Sequence, residues 1–181
     1  ITEVSRPILG VGVAVPGLAD KVTATVVNAP NLGWHDVDVR SHILGSVMNG
    51  RLEAAQVLVD NEANLSAVAE YDHRVAAAPG TMVFVNGFTG VGGGILIDGK
   101  LIRGAHGFAG EFGHMPVVTD GETCGCGRRG CWETVVGMRA FVEAATEPAD
   151  PLRDSSRDVG ERARELGERL AREEPRATAA L

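Results

Sequence analysis

The chain has 181 residues, of which 44% are hydrophobic and 23% charged, with a formal net charge of −7. That is an ordinary globular composition, long enough to bury a real core. The acidic balance excludes a segment that grips nucleic acid by itself, and no apolar run approaches the roughly 18 residues a bilayer crossing needs.

No signal peptide opens the chain, which starts at Ile1 rather than Met and ends at Leu181 in a charged helical tract. A piece of a longer protein is expected. In chain order, Ile8 to Val15 is apolar and β-branched and predicts a buried strand, stopped by Pro16-Gly17. Val22 to Val27 is its hairpin partner or a short edge strand, and Asn28 to Trp34 a loop. Val39, Ile43, Leu44, Val47 and Met48 recur at helical spacing, although Gly45 and Gly50 interrupt the pattern. Val57 to Val59 predicts a second strand, leading through Asp60-Asn61-Glu62 into a helix from Ala63 to about Ala76.

Met82 to Val85 predicts a third strand. Val91 to Ile97 and Lys100 to Arg103 form a hairpin, because Asp98-Gly99 suits a type I′ turn. Gly104 to Gly130 is a loop, followed by a helix from Thr134 to about Ala145. After a polar break from Pro148 to Ser156, Val159, Ala163, Leu166 and Leu170 mark an amphipathic helix with a solvated face. Three parts are expected: an α/β core over 1–103, a metal-binding loop over 104–133 and a helical segment over 134–181.

The loop carries the clearest chemistry. All three cysteines, Cys124, Cys126 and Cys131, fall within eight residues, ten after His114. Three thiolates and an imidazole are a common closed zinc set, and Gly125, Gly127 and Gly130 let the backbone turn tightly enough to aim them at one centre. The alternatives are unrelated thiols, or one disulfide with a spare; the odd count and C-x-C-x4-C spacing argue against a disulfide framework. Reduced thiols serving a metal suit the cytoplasm.

Strands feeding helices point to an α/β sheet with a ligand at its carboxyl edge, where Asp60, Asn61 and Glu62 lie. Asp-Asn is also a common helix cap. A metal holding both segments would draw Glu111 and Glu133 together beside His114, a set suited to several sugar hydroxyls. Thr89, Gly90, Gly92 and Gly93 can cradle a phosphate on backbone N–H groups, but the stretch lacks the lysine of a P-loop and also suits tight strand packing. His35, His42, His73 and His106 read as surface or loop residues.

From Ile8 to Gly137 the chain resembles the ROK family of repressors, open reading frames and kinases, within the sugar-kinase and actin-like ATPase (ribonuclease H-like) superfold. The resemblance rests on Val-Pro-Gly17, Asn-Leu-Gly-Trp34, Asp-Asn-Glu-Ala-Asn64, Thr-Gly-Val-Gly-Gly-Gly94, Gly-Phe-Ala-Gly-Glu-Phe-Gly-His114 and Cys-Gly-Cys-Gly-Arg-Arg-Gly-Cys-Trp-Glu133. It implies zinc on His114, Cys124, Cys126 and Cys131, and a sugar on Asn61, Glu62, Glu111, His114 and Glu133. Members divide into cytoplasmic kinases using ATP and Mg, and repressors that carry a winged helix-turn-helix ahead of this domain. Homodimers or higher homo-oligomers are expected from the same resemblance.

Two departures favour the repressor branch. The kinases have aspartate as catalytic base where this chain has Glu62, as in the family's xylose-type repressors, and their amino-terminal phosphate loop and carboxyl-terminal nucleotide half are absent from these 181 residues. Phe88, where kinases commonly have glycine, lends minor support. The resemblance thus implies the sensing domain of a transcriptional regulator, responding to a sugar or sugar phosphate and reaching operator DNA through an upstream winged helix. The alternative is an ATP-dependent hexose or N-acetylhexosamine kinase with Glu62 as an imperfect base.

Overall fold

The computed structural model describes residues 9–46, 57–74, 80–87 and 89–179. They form two compact units, Ile1–Phe84 with Gly93–Gly110, and Val85–Gly92 with Glu111–Leu181.

In the first unit, β1 (Val11–Val15) pairs in parallel with β5 (Val57–Asn61), matching Val11 to Val57 and Val15 to Asn61. Alternation decides the faces of β5: Val57 and Val59 are buried while Leu58 between them is exposed. A small antiparallel sheet joins β2 (Leu18–Asp20), β3 (Thr25–Ala29) and β4 (Trp34–Asp38). Val15, Val26, Ala29, Val39 and Val59 share one core cluster with these strands. Thr25–Ala29 is thus neither a hairpin partner of β1 nor an edge strand: it is the middle strand of the small sheet, paired with β2 and β4, and Val22 lies 84% exposed in the turn where a strand was expected. Asp20 makes that turn by accepting the Val22 N–H at 2.8 Å.

Helix α1 spans Val39–Ser46; the expected continuation through Val47 and Met48 lies outside the described residues, as do Ile8, Phe88 and the predicted helix end at 75–76. Helix α2 (Glu62–Arg74) follows β5 without a loop. Strands β6 (Thr81–Gly87), β7 (Val91–Ile97) and β8 (Lys100–Ile102) form a sheet in that order. The β7–β8 turn is of the expected kind, with positive φ at both Asp98 (48°) and Gly99 (76°). Ala67 and Tyr71 of α2 pack with Leu96, Phe84 and Leu101.

The second unit closes on a helical cluster. The single helix expected from Thr134 is two, α3 (Glu133–Val136) and α4 (Met138–Ala145), because Gly137 between them is extended (φ −70°, ψ 162°). Helix α5 (Val159–Ala171) is capped by Asp158, which accepts the Glu161 N–H, and α6 (Pro175–Ala179) follows. Val142, Ala145, Leu152, Leu166 and Ala177 form the core of this cluster. No helix among the described residues is long and apolar enough to cross a membrane.

Candidate metal centre and effector residues

Local backbone structure brings four donors together. Phe112–His114 form one tight turn lying directly against β7: a Cβ on Gly113 would strike the Val91 carbonyl, so only glycine allows that approach. Downstream, Pro116 bridges Cys131, Thr123 bridges Arg129, and the Cys124 N–H reaches the Arg128 carbonyl at 2.7 Å. Gly130 (φ 67°) sits against the Val118 carbonyl with no room for a side chain. These bonds fold 115–131 back on itself and return Cys131 to the His114 turn, where its thiol lies 3.6 Å from the His114 carbonyl.

One ligand atom from each of His114, Cys124, Cys126 and Cys131 lies within 4.8 Å of the others. The expected set is thus assembled, and none of the three thiols is in a disulfide. Cys126 Sγ is 3.7 Å from Cys131 Sγ, and Cys124 Sγ is 3.5 Å from His114 Nδ1. A tetrahedral ion bound at about 2.3 Å to sulfur and 2.0–2.1 Å to nitrogen has edges of about 3.8 Å and 3.6 Å. Donor chemistry and spacing both fit such an ion. Burial raises the Cys124 and Cys131 thiols above their ordinary range. At Cys126 burial acts the same way but is outweighed, first by the Arg128 N–H and then by its two thiol neighbours, so this thiol is lowered.

Two carboxylates flank the centre. Glu133 opens α3; its Oε1 lies 2.8 Å from Cys124 Sγ and 3.5 Å from His114 Nδ1. Its other oxygen backs onto the glycine-rich turn, 2.9 Å from where a Cβ on Gly90 would stand. Gly90 is therefore matched to a carboxylate. Glu111 Oε2 lies 3.9 Å from His114 Nε2, so the ring presents one nitrogen to the cysteines and the other to Glu111. Burial pushes the Glu111 carboxyl up, His114 opposes this and Glu133 adds to it. Of the glycine-rich residues, exposed Thr89 precedes β7, whereas Gly92 and Gly93 lie inside the strand.

Asn61 and Glu62 belong to the first unit, at the junction of β5 and α2. Asn61 is the helix cap that its residue type allowed: Oδ1 accepts the Ala63 and Asn64 N–H groups at 2.8 and 3.0 Å, and Nδ2 donates to the Gly17 carbonyl at 2.9 Å. Glu62, half-buried, opens the helix, a position favourable to negative charge. Asp60 is 6% exposed and bound by Arg103 (2.9 and 2.6 Å) and Lys21 (3.3 Å). Neither cation stood out in the sequence. The signal was a carboxylate closing an apolar strand, which needs a counter-charge when buried. His35, His42, His73 and His106 are exposed, as expected.

Two curated relatives are about equally similar to the chain and differ in function. The xylose repressor of Bacillus subtilis (strain 168) is 36% identical over 137 residues, 76% of this chain and 34% of the repressor. The glucokinase of Streptomyces coelicolor is 36% identical over 148 residues, 82% of this chain and 45% of the enzyme. The chain thus spans less than half the length of either. Among solved structures, a ROK family glucokinase from Streptomyces griseus in complex with glucose and AMPPNP superposes with a TM-score of 0.78 at 32% identity. That match covers 97% of this chain and 57% of the enzyme, and gives the expected sugar-kinase, actin-like ATPase fold. With the family's own pattern matched from residue 2 to residue 180, the chain belongs to the ROK family.

Proposed function

We propose that this chain is the sugar-sensing part of a ROK-type transcriptional regulator, with zinc held by His114, Cys124, Cys126 and Cys131 as a structural element. Four protein ligands leave zinc no open position for chemistry. A sugar or sugar phosphate is held by Asn61, Glu62, Glu111, His114 and Glu133. Its binding shifts the population between domain arrangements that favour or disfavour operator DNA, contacted by a winged helix elsewhere in a homo-oligomeric protein.

The observation that carries this reading is Glu62, standing where the family's kinases have the aspartate base. One added methylene moves the carboxylate by about an ångström, and misplacement of that order costs about a hundredfold. Asp60 is a poor substitute. Although burial opposes ionisation, Arg103 and then Lys21 hold its carboxyl below the ordinary range, the wrong direction for a general base at neutral pH.

The second reading, a cytoplasmic ATP- and Mg-dependent sugar kinase, is favoured by the likeness to a glucokinase bound to glucose and AMPPNP. A coupled ADP-release assay on the full-length protein across a panel of hexoses, N-acetylhexosamines and xylose separates the two. The sensor reading predicts no sugar-dependent turnover. Turnover abolished by Glu62→Gln would overturn it.

A further inference from the structure

We propose that Asp60 and Arg103 form a positioning pair, whose planar bidentate contact fixes the Asp60-Asn61-Glu62 turn in the orientation needed to meet a ligand. The proposal rests on the assignment of Asn61 and Glu62 to the effector site.

The pair does more than balance charge. Arg103 spans both Asp60 oxygens, with one nitrogen on Oδ1 at 2.9 Å and the other on Oδ2 at 2.6 Å. Such a fork fixes the carboxylate plane as well as its position, which a single ammonium cannot do. Lys21, nearly half exposed, adds a contact to Oδ2 at 3.3 Å. With its plane fixed, Asp60 Oδ1 also accepts the Asn61 backbone N–H at 2.9 Å. The guanidinium thereby sets the backbone from which the Asn61 side chain departs.

What that side chain can offer follows by counting. A primary amide has two acceptor positions and two N–H groups. The Ala63 and Asn64 N–H groups use both acceptor positions, and the Gly17 carbonyl takes one N–H. One N–H is left. Asn61 is thus a single donor whose direction is fixed by three bonds of its own amide and one to Asp60. A preset donor of this kind suits a ligand hydroxyl, whose oxygen accepts.

Arg103 also links this turn to a second segment. Its own carbonyl accepts the Ala109 N–H at 3.0 Å, closing the loop after β8 that leads along the chain to Glu111. Arg103, 43 residues beyond Asp60, therefore holds the Asp60 turn through its side chain and the 104–109 loop through its backbone, both within the first unit.

The test uses full-length wild type, Arg103→Lys and Arg103→Met, with calorimetric titration of whichever sugar of the panel the wild type binds. Amide hydrogen exchange is followed over 61–64 and 104–109. The Lys variant keeps the charge and loses the fork, so it remains informative if the Met variant does not fold. The expected result is at least a tenfold weaker affinity for Arg103→Lys, with at least tenfold faster exchange confined to those two segments. An Arg103→Lys variant that binds as wild type would reduce the pair to a counter-ion and overturn the proposal. If wild type binds no sugar, the effector assignment fails, and exchange then decides. Faster exchange over 61–64 in Arg103→Lys would keep the positioning role, and unchanged exchange would end it.

Discussion

Replacing Cys126 by serine is expected to abolish cooperative folding of the second unit. The loop over 115–131 is folded by its backbone bonds but has little apolar burial: Val117 and Val118 are 51% and 43% exposed, and the side chains it buries are those of Cys124 and Cys131. A structural zinc contributes on the order of 10 kcal/mol or more of apparent binding energy. The whole stability of a typical domain is about 5–15 kcal/mol. Loss of the ion therefore takes away an amount comparable to the total, and Cys126→Ser weakens its hold by removing one of four ligands. The purified wild type should carry one zinc per chain by elemental analysis, and a strong chelator should reproduce the effect of Cys126→Ser on the melting curve. Metal-free protein that melts like the untreated sample would refute the structural role.

The second large effect is expected at Asp60. Asp60→Asn leaves Arg103 and Lys21 facing a neutral amide in a site that is 6% exposed at residue 60. Breaking a buried ion pair on one side costs about 3–5 kcal/mol, and the partial exposure of Arg103 puts this pair near the lower end, about 3 kcal/mol. The pH dependence has a definite sign. Arg103 and then Lys21 outweigh burial and hold the folded carboxyl below the ordinary aspartate value, about 3.9. Its stabilisation is therefore fully present above that value and is lost as pH falls through the folded pKa. Denaturant melts at neutral pH should separate wild type from Asp60→Asn, and the gap should narrow progressively below about pH 4. A gap independent of pH would mean that packing, and not charge, makes the difference.

Local patterns made some of this readable in advance. Asp98-Gly99 announced its own turn, and three closely spaced cysteines after a histidine announced a cluster of donor atoms able to hold a metal ion. Strand β4 could not be read this way. Four of its five side chains are exposed and its place is set by backbone pairing with β3, so it writes no apolar rhythm into the sequence. The break at Gly137 was not read from the sequence, although Thr134, Val135 and Val136 before it are β-branched and poor helix formers. A Cβ at Gly137 would press on the Glu133 carbonyl, so the extended turn between the helices accepts only glycine there. Arg103 was hidden for a different reason: its partner is 43 residues away, and nothing beside it distinguishes it from any surface arginine. Asn61 was ambiguous between cap and ligand donor. Its amide caps α2 and still retains one N–H to offer.

The most direct measurement is calorimetric sugar titration of zinc-loaded full-length protein, wild type beside Glu133→Gln. Glu133 touches both the cysteine–histidine cluster and the glycine-rich turn, so it is where metal and effector should meet. One sugar per chain in the wild type, at least tenfold weaker in Glu133→Gln with zinc still bound, is the predicted result. No heat with any sugar, or equal binding by the two proteins, would contradict it.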